Sequence, residues 1–176
     1  MNDKIKKELI SWSKTICVSM FLAIGITLFI KPTVVSGESM YPTLNDKEYL
    51  IVNRLSYLND VPKRGDIIVF KTDLIDHKTN KNKNLVKRVI ALAGEHVVIK
   101  NSEVFINNEK LNESYLHGVY TNGEIDMIVP QNHIFTIGDN RPESEDSRQI
   151  GAINLDDIIG KISIRLYPFN EVGTVE

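Results

Sequence analysis

Hydrophobic and polar positions follow two different patterns along this chain. Residues 15–30, TICVSMFLAIGITLFI, carry no charge and are bracketed by Lys14 and Lys31. As a helix this run spans about 24 Å, a little short of a hydrocarbon core of about 30 Å. Trp12 as an interfacial anchor, with Lys14 and Lys31 snorkelling outward, brings it to membrane length. Pro32 is expected to end the helix, having no N–H to donate. A removable signal peptide also joins a basic start to a short apolar run. Here the run leads into KPTVVSGESM, without a small-residue site of the A-x-A type. An uncleaved anchor is therefore expected, over a removed signal or a buried core helix. Lys4, Lys6, Lys7 and Lys14 precede the run, against Asp3 and Glu8. By the positive-inside tendency residues 1–14 form a cytoplasmic tail, 15–31 a single transmembrane anchor and 32–176 an extracytoplasmic domain at the cell membrane. Lys31 is the one dissenting charge.

Beyond Pro32 the pattern is that of short strands. Residues 49–52, 66–70, 85–92, 96–99, 104–106, 125–129, 133–137 and 161–166 are rich in Val and Ile. Gly, Pro, Asn and Asp clusters separate them, as expected between strands. HVVIKNSEVFINNEKL (96–111) reads as a hairpin followed by a polar turn. DLIDHKTNKNKN (73–84) is polar and reads as an exposed loop, its Lys81 and Lys83 solvated. Residues 55–60 and 154–159 could each make a short helical turn, but no long stretch after residue 32 has helical periodicity. The fold class expected is mostly β, one antiparallel domain carried on one helix.

Composition changes this picture little. The 176 residues suffice for one ordinary domain and an anchor, and a net charge of −2 argues against nucleic acid as a partner. Cys17 is the only cysteine, so no internal disulfide can form, and no CxxC or HxxxH spacing suggests a metal.

Three clusters could carry chemistry. In GESMYPTL (37–44), Gly37 permits positive φ and Pro42 stiffens the chain, which would hold Ser39 on a rigid, accessible segment. An isolated G-x-S is more often a plain turn. Ser39, however, follows Ile30 by only nine residues, within roughly 30 Å of the membrane face. Met40 is either core or an apolar rim at that face, and sequence leaves the two open. A serine nucleophile needs a base; His77, His96, His117 and His133 stand in no recognisable catalytic setting. Lys87 differs, because alternation in LVKRVIALAG places it on one face with Leu85, Val89, Ala91 and Ala93. Burial there would lower its pKa and make it a general base; snorkelling from a strand edge is the equal alternative. GDNRPESEDSR (138–148) is a solvated acidic loop or an ion-pair frame beside a site.

Taken in order, these clusters resemble the boxes of the bacterial type I, or leader-type, signal peptidase family. GESMYPTL resembles its nucleophile box, RGDIIVF (64–70) the next strand, VKRVIALAGEHV (86–97) the lysine box and GDNRPESEDSR the last box. The ending IIGKISIRLYPF is also similar. The resemblance implies Ser39 as nucleophile with its N–H in the oxyanion hole, and Lys87 as general base. Ser144 would hydrogen-bond the lysine amine, Asp146 and Arg148 would form a salt bridge, and Asp139 and Arg141 would support the same loop. Met40 would contact substrate. It also implies a coiled antiparallel β catalytic domain and no cofactor. The partners implied are signal-peptide-bearing preproteins, membrane lipid and the secretion machinery, with cleavage after small residues at −1 and −3.

This sequence departs from many Gram-negative members in having Gly37 where they carry a serine, which leaves a second oxyanion donor undetermined. Ala91 and Ala93 stand where Gly and Pro are frequent. The long additional β domain and second membrane span of Gram-negative members have no counterpart, and relatives of the endoplasmic-reticulum type use histidine where Lys87 stands. Two other readings are a self-cleaving repressor-type protease and an inactive precursor-binding homologue. The first would need a DNA-binding helical domain in place of the apolar helix; the second should lack Ser39 or Lys87.

Overall fold

The computed structural model describes residues 3–76, 79–116 and 118–175, so His77 and His117 lie outside the described residues. The chain opens with α1 (Asp3–Phe29), of which Ile5–Gly25 is long and apolar enough to cross a membrane and is unburied. The helix stops at Phe29, short of the end expected at Pro32. Lys31, preceding a proline, is disfavoured in helical geometry, and the extended chain finds backbone partners at once. It becomes β1 (Ile30–Val34), paired antiparallel with β2 (Tyr49–Asn53).

Each strand read from the sequence is present. In chain order the remaining strands are β3 (Ile67–Asp76), β4 (Lys81–Ala91), β5 (His96–Lys100), β6 (Glu103–Ile106), β7 (Glu109–Lys110), β8 (Ile125–Ile128), β9 (His133–Ile137), β10 (Ile153–Asn154), β11 (Ile158–Tyr167) and β12 (Gly173–Thr174). They divide between two antiparallel sheets among the described residues. The larger runs β1-β2-β11-β3-β4-β9-β10, with β12 on β11; the smaller runs β7-β6-β5-β8. The described part of 73–84 is not the loop expected. Residues 73–76 and 81–84 pair as the outer part of β3 and β4, with Ile75 opposite Asn82 and Asp76 opposite Lys81 beyond a bulge. Pairing satisfies the backbone while polar side chains face water on a two-stranded arm. Residues 55–60 form turns without a helix, and 154–159 contains one 3₁₀ turn, Leu155–Asp157, capped by the Asn154 side chain.

The central strands are buried on both faces, which explains their continuous apolar runs. On β3, Ile67 and Val69 join a core with Val35, Met40, Leu44, Leu50, Val52 and Ile162. Ile68 and Phe70 point the other way, to Val89, Ile134 and Ile153. A third core lies under the smaller sheet, where Val97, Ile99 and Val104 meet Ile90, Ala91, Phe135 and Ile137. The face expected to run from Leu85 to Ala93 breaks at a bulge between Val89 and Ala91, so Ala91 joins this third core and Ala93 is exposed.

Candidate active site

The segment bearing Ser39 is fixed at both ends. Val35 and Met40 are buried in one core, and between them Gly37 has φ +94°, a conformation open to glycine. The Gly37 N–H donates to Asp46 Oδ1 at 2.9 Å. Asn140 ties the segment to the last box: its N–H donates to the Ser39 carbonyl at 3.1 Å and its side-chain amide to the Glu38 carbonyl at 3.0 Å. The Ser39 N–H has no acceptor among the described residues.

Lys87, on β4 opposite Ile68 of β3, is 2% exposed. Its Nζ donates to Ser39 Oγ at 2.6 Å. Burial pushes its pKa down from 10.5 to about 8, with Arg148 assisting and Asp146, Glu145 and Asp139 opposing. The amine is therefore not surrounded by apolar side chains alone, as alternation suggested; carboxylates from the last box stand near enough to matter, and burial outweighs them. The other described histidines are engaged elsewhere, His96 with Asp126 and His133 with the Gln131 carbonyl.

The last box is an ion-pair frame. Asp146 accepts from the Gly138 N–H at 3.0 Å and from Arg148 Nε and Nη2, both at 2.8 Å. Burial works to raise the Asp146 pKa, but hydrogen bonds from Arg148, Ser144 and Gly138 outweigh it and hold the carboxyl below its ordinary range. The Ser144 hydroxyl donates to Asp146 Oδ2 at 2.6 Å. Among the described residues it makes no hydrogen bond to Lys87; its proton goes to the carboxylate two residues away. Gly138 lies between these groups, and a Cβ there would collide with Ser144 Oγ and the Ser39 carbonyl.

Asp139 does not pair with Arg141. It is gripped by Arg88 at 2.9 and 2.8 Å, and accepts from Thr43 Oγ1 at 2.5 Å. Arg141 instead reaches Glu113 and Thr121, while its Nε donates to the Gly138 carbonyl at 3.2 Å. Arg88 also lies 4.1 Å over the Tyr115 ring. Arg88, Thr43 and Glu113 were missed in the sequence; the one available signal was a second cation beside Lys87 in an apolar strand. Met40 is the core alternative, 2% exposed, and it also lines a cleft of about 120 Å³ beside Ser39 and Lys87. Val34, Val35, Val69 and Val86 make much of its wall. The arrangement places a hydroxyl against an amine whose lowered pKa of about 8 gives it a neutral fraction that grows as pH rises through neutrality, next to a narrow apolar cleft.

Comparison with known proteins identifies the family. Residues 9–167 match the family model for signal peptidase, peptidase S26. Signal peptidase IB of Staphylococcus aureus (strain Mu50) is 35% identical over 186 residues, covering 95% of this chain and 94% of the relative. Signal peptidase I S of Bacillus subtilis (strain 168) is 36% identical over 185 residues, covering 97% and 96%. A crystal structure of a signal peptidase I from Enterococcus faecalis V583 is 27% identical, covers 59% of this chain and 98% of that one, and has a TM-score of 0.49. A family match over nearly the whole chain, with relatives matched almost end to end, means that this chain belongs to the peptidase S26 family of signal peptidases, as a bacterial type I member.

Proposed function

We propose that the chain is a membrane-anchored serine endopeptidase in which Ser39 attacks and Lys87 is its general base, removing signal peptides from preproteins after small residues at −1 and −3. The observation that carries this is the 2.6 Å contact between Lys87 Nζ and Ser39 Oγ around an almost fully buried amine. With Lys87 neutral, the nitrogen lone pair takes the hydroxyl proton as Ser39 Oγ bonds to the scissile carbonyl carbon. The Ser39 N–H is free to donate to the developing oxyanion. Lys87 then gives its proton to the departing amine; in the second half it takes a proton from the water attacking the ester carbonyl and passes it to Ser39 Oγ as the ester C–O bond breaks and the new carboxyl end leaves. Met40 and the valines of the apolar cleft contact the small −1 and −3 side chains. Asp146, Arg148, Ser144 and Asp139 hold the frame around the lysine without touching substrate.

The helix Asp3–Phe29 supports anchoring in membrane lipid, with the lysine-rich tail on the cytoplasmic side and the β domain outside, where the secretion machinery delivers its substrates. The test is cleavage of a synthetic peptide carrying an A-x-A junction, in detergent, by wild type and Ser39→Ala. The wild type should cut after the second alanine, and the variant should fold normally but lose activity. Cleavage by Ser39→Ala at even about a tenth of the normal rate would remove Ser39 as nucleophile.

A further inference from the structure

Ser39 and Lys87 line two adjoining clefts, one mainly apolar and one more polar. The apolar one is walled by Val34 and Val35, which follow α1 directly through β1. Contiguous with it, and sharing Ser39 and Lys87 in its wall, lies a more open cleft of about 600 Å³. It reaches Asn82 and Lys83 on the outer half of the β3–β4 hairpin, with Glu38, Glu143 and Glu145 around it. A preprotein whose apolar segment lies in the bilayer approaches from the α1 side. On the peptidase reading above, residues before the scissile bond then fill the apolar cleft, and those after it enter the polar one.

The charges of this second cleft are unbalanced. Lys83 is paired with Glu145 at 3.4 Å. Glu38 and Glu143 are exposed, and among the described residues no cation is paired with either. Unpaired carboxylates at an open cleft favour cations and repel anions. We propose that the polar cleft receives the first residues of the released chain, and that Glu38 and Glu143 favour lysine or arginine there over aspartate or glutamate. Exposed charges act through solvent, so the preference is on the order of threefold or somewhat more, and salt weakens it.

Three peptides sharing one A-x-A junction test this with the full-length chain in detergent at low salt. They carry two lysines, two glutamines or two glutamates at the second and third positions after the bond. The expected order of kcat/KM is lysine, glutamine, glutamate. In Glu143→Lys the order should flatten or reverse, and Glu143→Gln should lie between. Equal rates for the three peptides, or an order unmoved in Glu143→Lys, would overturn the proposal. If even the glutamine peptide resists wild type, the peptidase reading falls first and this proposal with it.

Discussion

At Lys87 the demands of catalysis and of folding oppose each other. Its folded pKa of about 8 lies below the ordinary 10.5 because the folded state disfavours the ammonium. Below about pH 8 both folded and unfolded chains hold the proton, and the full cost of burying the charge is present. Between there and 10.5 the unfolded chain keeps a proton the folded one has released, so this residue's contribution to stability rises with pH. The drop corresponds to a cost of about 3 kcal/mol at neutral pH. Lys87→Met should therefore be more stable than wild type at pH 7, by roughly 1–3 kcal/mol, with the gain shrinking toward pH 10. Thermal unfolding of both proteins in detergent across that range checks this, and a gain that does not change with pH would contradict it. Lys87 is legible in the sequence because a charge within an apolar alternation is conspicuous. Arg88 is not, because on an alternating strand its neighbour's opposite face normally meets water. Groups from distant parts of the chain, Asp139, Tyr115, Thr43 and the Gly65 carbonyl among them, make that face an interior.

At the level of elements, the segment 138–148 works as a frame because its pairs are buried. Asp146 has no exposed side-chain surface and Arg148 only 6%, whereas the nearby Lys83–Glu145 pair is 37% and 45% exposed. Asp146→Asn should cost about 3–5 kcal/mol, since it leaves a buried guanidinium without its counter-charge. Lys83→Ala should cost less than about 1 kcal/mol. The depressed Asp146 pKa means its stabilisation is present above the ordinary value of 3.8 and is lost as pH falls below it. Melting curves of both variants at neutral and acid pH should show a large loss for Asp146→Asn that narrows in acid. Equal losses in the two variants would mean that the frame is not built this way. The strands themselves were legible from alternation and their Gly and Asn boundaries. The β3–β4 arm was not, because a two-stranded hairpin exposed on both sides has no apolar face to announce it.

For the whole molecule, α1 passes directly into the β domain through β1, which on the proposed anchoring brings Ser39 and Lys87 close to the membrane. That closeness was readable in the sequence, as the nine residues from Ile30 to Ser39; the two clefts were not, because their walls come from segments far apart in the chain. The orientation predicts that protease added to intact protoplasts digests residues 32–176 and spares the basic tail, and digestion only after lysis would reverse the topology. The central claim, that a buried lysine activates Ser39, is tested most directly by kcat/KM against pH for wild type and Lys87→Arg. Wild-type activity should climb about tenfold per pH unit on the acid side and level off near the Lys87 pKa of about 8, or somewhat lower if bound peptide excludes more water. Lys87→Arg should be inactive at every pH, because its guanidinium keeps the charge but cannot give up its proton. An active Lys87→Arg enzyme, or a wild-type profile flat from about pH 6 to 9, would contradict the account.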